Sequence, residues 1–350
     1  MKSELVLELN SSSDNPRNSE GSFIKLKDGI IMFAYTRFYG DSSSDNASAE
    51  IAGRYSEDNG LTWTQEDRIL LKNECKVNIM SVSLLRLNDG RIAMFYLQKS
   101  SNIQCLPVVR FSEDEGKTWT QPMPCTPASG YFVLNNDRVI QLQTGRIIVP
   151  VGYHRSKTAD CICARAITTF FYSDDNGVTW EESENWLLPP QNIKSGFQEP
   201  GVIELLDGRL MCYLRTDAGA QWISYSSDQG NIWTIPEAST FLSSCSPMSI
   251  KRNPENNNLI AVWNDHDPRW STGKQAVKQS SSWGRTPLVA AFSSDDGETW
   301  IDHLLLEDDP CRGFCYIAIY FTKIGILLAY CCGGGDKTIV LQDSCIRLLT

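Results

Sequence analysis

Histidine and positive charge are both scarce in this 350-residue chain. It has three histidines, His154, His266 and His303, and their spacing matches no zinc-binding pattern. Asp and Glu together number 42 against 32 Lys and Arg, which gives a net charge of −10. Such an acidic chain is a poor partner for nucleic acid or an anionic membrane. We therefore expect no metal, no cofactor, no nucleic acid and no membrane among its partners.

Long apolar runs and paired cysteine motifs are missing as well. No stretch approaches the length of a membrane span, and the opening segment MKSELVLELNSSSD has no apolar core of the kind that signal peptides contain. The 12 cysteines include no CxxC pair, and several of them, such as Cys212, Cys331 and Cys332, sit in apolar segments. This pattern predicts buried reduced thiols and a cytoplasmic protein, with export left open.

Aromatic residues are plentiful, and some of them belong to a repeated motif. Ser-x-Asp-x-Gly-x-Thr-Trp occurs at residues 56–63, 112–119, 173–180, 226–233 and 293–300, with Ile232 in place of Thr once. In a turn, the Asp side chain can accept backbone N–H bonds, Gly can take the left-handed conformation, and Trp can pack against a sheet. These Asp boxes are therefore interpreted as folding elements, and their aspartates as structural and not catalytic.

A second repeat alternates with the Asp boxes: two apolar runs joined by a short turn, as in LLRLNDGRIAMFY and VIELLDGRLMCYL. We find six such hairpins, five of which precede an Asp box. A strand-rich repeat of about 50–65 residues is typical of a β-propeller. The prediction is an all-β fold, a six-bladed β-propeller of four-stranded antiparallel blades with Asp-box turns. We expect residues 1–350 to form one domain, with a strand from one chain terminus closing the last blade.

The repeat also predicts which residues share a face. If the hairpin turns and Asp boxes lie at the bottom, the first strand of each blade starts at the top and the second ends there, where propellers bind small ligands. Simple pairing outward from the turns places Arg37 opposite Glu20 and Arg215 opposite Pro200. Polar residues predicted at the top face are Arg17, Glu20, Arg37, Asp45, Asn136, Arg138, His154, Glu199, Arg215, Arg285 and Tyr316.

These residue types suit one kind of reaction. Several guanidinium groups around one point can clamp a carboxylate. A Tyr beside a Glu can act as a nucleophile that transfers its proton to the carboxylate, and an Asp on a loop can protonate a leaving group. This set fits hydrolysis of a glycoside whose anomeric carbon carries a carboxylate, because a neutral Tyr is not repelled there; sialidases are the known case of a Tyr nucleophile.

Several segments resemble those of the sialidase (neuraminidase) superfamily, six-bladed propellers with Asp-box (BNR) repeats. They are NPRNSEGSFIKLKDG, YTRFYGDSSSDNAS, FQEPGVIELLDGRLMCYLRT, WGRTPLVAAF and FCYIAIYFTKIG, and the resemblance spans essentially the whole chain. It implies a retaining exo-sialidase, a glycoside hydrolase that removes terminal sialic acid. The implied roles are a carboxylate clamp of Arg17, Arg215 and Arg285, an accessory Arg37, Asp45 as acid/base, Tyr316 as nucleophile and Glu199 as its base.

The sequence also departs from that pattern. Arg17 is followed by Asn-Ser-Glu-Gly and not by Ile-Pro, which adds Glu20 near the clamp. Asp41 and Glu50 are rivals of Asp45 because the loop could shift by a few residues. The blade-three segment VLNNDRVIQLQTGRIIVPVGYH, which carries the substrate-binding candidates Asn136, Arg138 and His154, does not map onto ordinary sialidases. The expected partner is a sialylated glycan or another acidic-sugar glycoside, and the alternatives are an exo-glycosidase for a related acidic or modified sugar and a non-catalytic sugar-binding propeller.

Overall fold

The computed structural model describes residues 2–270, 284–334 and 341–350. Trp283, the first residue of the segment that carries Arg285, lies outside these ranges. The described residues form six antiparallel β-sheets and a single turn of 3-10 helix, Pro268–Trp270. The all-β six-bladed propeller predicted from the repeats is therefore confirmed.

The strands follow the chain blade by blade, from the inside of the ring to the outside. The first strand, β1 (Ser3–Leu9), joins the last blade. Blade one is β2 (Asn18–Lys25), β3 (Ile31–Phe38), β4 (Ala49–Ser56) and β5 (Arg68–Leu71). Blade two is β6 (Asn78–Arg86), β7 (Ile92–Ser101), β8 (Gln104–Ser112) and β9 (Met123–Pro124). In blade three the inner strand is split into β10 (Phe132–Val133) and β11 (Ile140–Gln141), which both pair with β12 (Ile147–Tyr153), followed by β13 (Ile167–Ser173) and β14 (Glu181–Glu182).

The other three blades repeat the plan. Blade four is β15 (Gln198–Glu204), β16 (Leu210–Arg215), β17 (Ala220–Ser226) and β18 (Glu237–Leu242). Blade five is β19 (Ser249–Arg252), β20 (Leu259–Trp263), β21 (Leu288–Ser293) and β22 (Ile301–Glu307). Blade six is β23 (Arg312–Thr322), β24 (Gly325–Gly334), β25 (Asp343–Leu349) and β1. Strand β1 pairs with β25 from Ser3↔Leu349 to Leu9↔Ser344, so a terminal strand closes the ring as predicted.

The Asp boxes are turns that their own side chains hold in place. In the first box, Thr62 donates from its backbone N–H (2.8 Å) and its hydroxyl (2.6 Å) to the two oxygens of Asp58. The N–H of Gly60, at φ 98°, donates to the Ser56 hydroxyl at 2.8 Å, and Trp63 is buried beneath the turn. The structural interpretation of these aspartates is confirmed.

The hairpin turns and the Asp boxes lie at the same end of the propeller. The backbone N–H of Lys27, in the turn of blade one, donates to Glu115 in the Asp box of blade two. The backbone N–H of Leu206, beside the turn of blade four, donates likewise to Asp296 in the Asp box of blade five. The turns and the Asp boxes therefore lie together at one end, and the polar residues predicted at the top face belong to the opposite ends of the strands.

Apolar side chains pack between neighbouring sheets and form the core. In the interface of blades two and three, Phe95 and Val109 share one cluster with Phe132 and Val149, and all four are at least 95% buried. Cys212, Cys331 and Cys332 are buried and unbridged, as expected. Within the described part of the chain, no helix has the length and apolar character needed to cross a membrane.

Candidate active site

A β-bulge in the inner strand of several blades builds the floor of the central pocket. The pairing register shifts between Ser19 and Ser22, between Gln198 and Gly201, and between Cys315 and Ala318. Each shift contains one residue with a left-handed backbone: Glu20 (φ 50°), Glu199 (φ 44°) and Tyr316 (φ 59°). A bulge re-aims its side chain, and non-glycine residues hold such backbone strain mainly at functional sites.

These bulges correct the pairing expected from the turns. Arg37 lies opposite Asn18 and not Glu20, and Arg215 lies opposite Gln198 and not Pro200. Beside the turns, Lys25↔Ile31 and Glu204↔Leu210 already differ by one residue from the expected register. The extra residue in the inner strand displaces every pair beyond it by one more. Even so, Glu199 and Arg215 remain side by side, as their shared strand end predicted.

The Glu199 carboxylate connects an arginine to a tyrosine. Arg215 Nη1 lies 2.6 Å from Glu199 Oε1, and the Tyr316 hydroxyl donates to the same oxygen at 3.5 Å. Burial, with the negative charge of Glu199, raises the pKa of Tyr316 well above its usual value. The phenol is therefore neutral in the resting site, and any attack by its oxygen requires a base, for which Glu199 is the group in place.

The guanidinium of Arg285 lies on the other side of the tyrosine. Its Cζ is 5.3 Å from the centroid of the Tyr316 ring, and its Nη1 donates to Cys315 Sγ at 3.0 Å. The residue is 4% exposed. A cation over the face of the phenol ring fits a pocket in which negative charge develops on the tyrosine oxygen.

Arg17 and Asp45 form the opposite wall. Arg17 Nη1 lies 2.5 Å from Asp45 Oδ1, and Arg17 Nη2 lies 3.5 Å from Glu20 Oε2. Removal from water acts to raise the pKa of Asp45, but the charge and hydrogen bond of Arg17 outweigh it and leave the pKa below its usual value. Asp45 is therefore ionised in the resting pocket, on an exposed loop (residues 41–46).

Glu20 has the opposite electrostatic character. It is 7% exposed, and it accepts a 3.1 Å hydrogen bond from the Ser19 hydroxyl. Burial, together with the charges of Asp45 and Glu199, raises the pKa of Glu20 to about 7 against the pull of Arg17. Asn136 Nδ2 donates both to the carbonyl of Gly21, next to Glu20, and to the carbonyl of Tyr316, so the bulges that carry Glu20 and Tyr316 lie side by side.

Comparisons with known proteins identify the family of this chain. A family model described as the BNR repeat-like domain matches residues 31–327. The chain belongs to the sialidase superfamily of BNR-repeat propellers. A sialidase of Clostridium perfringens is 24% identical over 361 aligned positions, with 91% of this chain and 82% of that protein covered. An anhydrosialidase of Macrobdella decora is 27% identical over 309 positions, with 79% of this chain covered but only 36% of that protein. The chain thus spans about a third of the length of that relative.

Solved structures show the same fold. A Trypanosoma rangeli sialidase, in complex with 2,3-difluorosialic acid as a covalent intermediate, superposes with a TM-score of 0.73 at 16% identity, covering 99% of this chain and 59% of that one. A protein of unknown function from Dyadobacter fermentans gives 0.73 at 19% identity, with 99% of both chains covered. At identities of 16% and 19%, these two structures show that the chain has the same fold and show nothing about its activity.

The pocket thus brings together seven of the eleven predicted site residues, and the other four lie outside it or behind its walls. The seven are Arg17, Glu20, Asp45, Glu199, Arg215, Arg285 and Tyr316. Arg37 is ion-paired with Glu50 (3.1 Å) and Asp67 (3.2 Å), away from the clamp. Of the three candidate carboxylates, Glu50 is held by Arg37 and Asp41 is exposed on the loop, whereas Asp45 contacts Arg17.

Arg138 and Asn136 form hydrogen bonds between blades behind the pocket. Arg138 is 1% exposed, and it donates to the Ser249 hydroxyl at 2.7 Å and to the carbonyl of Met248. Asn136 donates through Nδ2 to the carbonyls of Gly21 (2.8 Å) and Tyr316 (3.1 Å). Since these carbonyls belong to the bulges that carry Glu20 and Tyr316, Asn136 positions the pocket floor.

His154 directly follows β12, whose Gly152 lies next to the backbone of Glu199. Its Nδ1 is 2.9 Å from the carbonyl of Cys163. Burial lowers the pKa of His154, against the effect of the hydrogen bond with Cys163.

Two residues that hold the Asp45 loop were missed from the sequence. Lys99 Nζ donates to the carbonyl of Asp45 at 3.3 Å and lies 5.4 Å from the centroid of the Tyr131 ring. Asn78 Nδ2 donates to the carbonyls of Asp45 (3.0 Å) and Ala47 (2.7 Å). A signal for Lys99 was present in the sequence, because Lys99 lies two residues before the end of the second strand of its blade, near the position that Arg215 holds in blade four. Among the described residues, no group of three or more His, Cys, Asp or Glu side chains is placed to hold a metal ion.

Proposed function

We propose that this member of the sialidase superfamily is a retaining exo-glycosidase that removes terminal sialic acid from glycoconjugates. The observation that carries the proposal is the Arg215–Glu199–Tyr316 contact in a pocket that also holds Arg17 and Arg285. A non-catalytic sugar-binding protein needs the arginines, but it has no use for a neutral tyrosine hydrogen-bonded to a buried carboxylate.

The proposed first step transfers the sugar to the enzyme. The substrate carboxylate binds Arg17, Arg215 and Arg285. Tyr316 Oη attacks the anomeric carbon while its proton passes to Glu199, and the bond to the leaving oxygen breaks as that oxygen receives a proton from Asp45. In the second step a water molecule loses a proton to Asp45 and attacks the anomeric carbon, and Tyr316 leaves and recovers its proton from Glu199.

This mechanism requires the substrate to alter the Arg17–Asp45 pair. In the resting pocket Asp45 is ionised and held by the guanidinium that the substrate carboxylate needs. A carboxylate that takes over Arg17 removes the cation that keeps the pKa of Asp45 low. Substrate binding would thereby prepare Asp45 to carry the proton for the leaving group.

The test is release of 4-methylumbelliferone from its N-acetylneuraminic acid glycoside. We expect turnover by the native protein and a loss on the order of 10³-fold in Tyr316→Phe. The matched control is Tyr320→Phe, a half-buried tyrosine four residues further along the same strand, which should keep native activity. Full activity in Tyr316→Phe would refute the nucleophile.

An exo-glycosidase for a related acidic or modified sugar is the second candidate. The observation that favours it is the extra buried carboxyl of Glu20 beside Arg17. If the native protein leaves the sialic acid glycoside intact, a panel of other acidic and neutral aryl glycosides decides between this candidate and a non-catalytic sugar-binding protein.

A further inference from the structure

Glu20 is the pocket residue for which the proposed mechanism has no role. It occupies the same bulge position in blade one that Glu199 occupies in blade four and Tyr316 in blade six: each is the ninth residue before its hairpin glycine, Gly29, Gly208 or Gly325. The left-handed backbone of Glu20 is strained, and the bulge that imposes it directs the Glu20 side chain toward the ligand-binding end of the channel.

The Glu20 carboxyl lies against the carboxylate clamp itself. Its Oε2 is 3.5 Å from Arg17 Nη2, while Asp45 holds Nη1 of the same guanidinium. The side chain is 8% exposed, so water screens little of its charge. An ionised Glu20 would compete with a substrate carboxylate for Arg17 and repel it; a protonated Glu20 would donate a hydrogen bond to that carboxylate instead.

The charge balance of the pocket depends on this one proton. With Glu20 neutral, the charges of Arg17, Arg215 and Arg285 exceed those of Asp45 and Glu199 by one. With Glu20 ionised, the two signs cancel among these residues, and the attraction for an anion weakens.

We propose that Glu20 binds the substrate carboxylate in its protonated form and takes up a proton when the substrate binds, so that this carboxyl sets the upper pH limit of substrate affinity. The inference rests on the proposed function, since it requires a carboxylate-bearing sugar in the clamp.

The surrounding groups leave Glu20 as the pocket residue suited to this titration. The titratable and charged groups around it are Arg17, Asp45, Lys99, Cys105, Glu199 and Cys331. Burial raises the pKa of the Cys331 and Cys105 thiols, so both stay neutral. In the ligand-free pocket Asp45 has a lowered pKa and is ionised, whereas burial brings the pKa of Glu20 to about 7. Any proton that Asp45 takes up on ligand binding is also taken up by the Glu20→Gln variant, so comparison with that variant isolates the contribution of Glu20.

Calorimetric titration with 2-deoxy-2,3-didehydro-N-acetylneuraminic acid, a carboxylate analogue, tests the proposal from pH 5.5 to 8.5. In the native protein we expect the affinity to fall about tenfold per pH unit above pH 7, with proton uptake near that pH seen as a dependence on buffer ionisation enthalpy. Glu20→Gln should bind without this slope, and Glu20→Asp should keep a slope with a displaced midpoint. Glu50→Gln, in the same blade but paired with Arg37, is the control that keeps the native profile.

The outcomes separate this inference from the proposed function. Binding that stays constant with pH in the native protein, or an unchanged slope in Glu20→Gln, overturns the role of Glu20 and leaves the sialidase proposal standing. Absence of binding at every pH, in native protein and variants with native thermal unfolding, overturns the sialidase proposal and this inference with it.

Discussion

Asp45 Oδ1 lies 2.5 Å from Arg17 Nη1, so the proposed proton donor and one arm of the proposed carboxylate clamp neutralise each other in the resting protein. The contact connects two events that would otherwise be independent, because a ligand that occupies Arg17 changes the proton affinity of Asp45. It also accounts for the exposed position of the Asp45 loop, which must let the carboxylate move without disturbing the inner strands.

Replacing Asp45 should affect substrates according to their leaving group. Asp45→Asn cannot supply a proton, so kcat for a natural sialoside should fall about 10²–10⁴-fold. A 4-methylumbelliferyl glycoside, whose leaving group needs little protonation, should lose much less in its first step. Steady-state kinetics on both substrates check this, with Asp41→Asn on the same loop as the control. An equal loss on both substrates in the glycosyl-transfer step would show that Asp45 is not the acid.

Arg215 should contribute both to substrate binding and to the position of Glu199, the proposed base. Arg215→Lys keeps the positive charge but loses the planar guanidinium that contacts Glu199 and, in the proposed complex, the substrate. We expect kcat/KM to fall about 10–100-fold, as for the loss of one or two charge-assisted hydrogen bonds. Arg209→Lys, at the turn of the same hairpin and paired with Asp207, should behave like the native protein. An effect of the same size in Arg209→Lys would mean that the hairpin as a whole had been damaged.

Arg138 should act on stability and not on substrate binding. Its guanidinium is fully buried and donates to Ser249 and Met248. Arg138→Gln should lower the free energy of unfolding by about 2–4 kcal/mol, because buried acceptors lose their donor. Urea denaturation measures this loss, and the KM of the folded fraction should stay native. A raised KM with native stability would return Arg138 to the substrate-binding set proposed from the sequence.

Glu20 should make the ligand-free protein less stable as pH rises. Its folded-state pKa of about 7 lies above the ordinary value of 4.5, so the folded protein binds this proton more tightly than the unfolded chain. The resulting stability is fully present below pH 4.5 and disappears as the pH rises to 7. Glu20→Gln, which does not titrate, should gain about 1–3 kcal/mol on the native protein across that window. Parallel urea midpoints of the two proteins from pH 4.5 to 8 would contradict the raised pKa.

The Asp boxes should produce the opposite pH dependence. Hydrogen bonds from Thr118 and Thr299 bring the pKa of Asp114 and of Asp295 down to about 2. Stability from these groups is present above the unfolded pKa of about 4 and disappears as the pH falls toward 2. Urea midpoints between pH 6 and 2 should fall less steeply in Asp114→Asn than in the native protein. Asp41→Asn is the surface control, and a slope unchanged in Asp114→Asn would refute the contribution.

The repeats made the fold predictable, and the bulges limited what could be predicted of the site. The residues of Ser-x-Asp-x-Gly-x-Thr-Trp determine the geometry of their turn, so the boxes, the number of blades and the end of the propeller that carries the turns followed from the sequence. A bulge leaves no such local signature. The partners of Arg37 and Arg215 were misplaced by two residues, one from the pairing beside each turn and one from the bulge.

Side-chain direction was the second limit. Strand position placed Arg37, Arg138 and Arg215 at one level, but only contacts with neighbouring blades decide which guanidinium enters the pocket. Arg138 finds acceptors on blade five, and Arg37 finds carboxylates within its own blade. Lys99 and Asn78 were missed for the same reason, since their role depends on where the Asp45 loop crosses to the next blade.

The recurring bulge gives the propeller a division of labour. Glu20, Glu199 and Tyr316 share one backbone conformation in three blades, and Ser81 (φ 66°) holds the equivalent place in blade two. In blade two the same bulge position has a structural use, because the Ser81 hydroxyl is buried and donates to the carbonyl of Leu134 in blade three at 2.8 Å. The one side chain that each bulge carries therefore decides whether that blade contributes to the pocket or to the packing between blades.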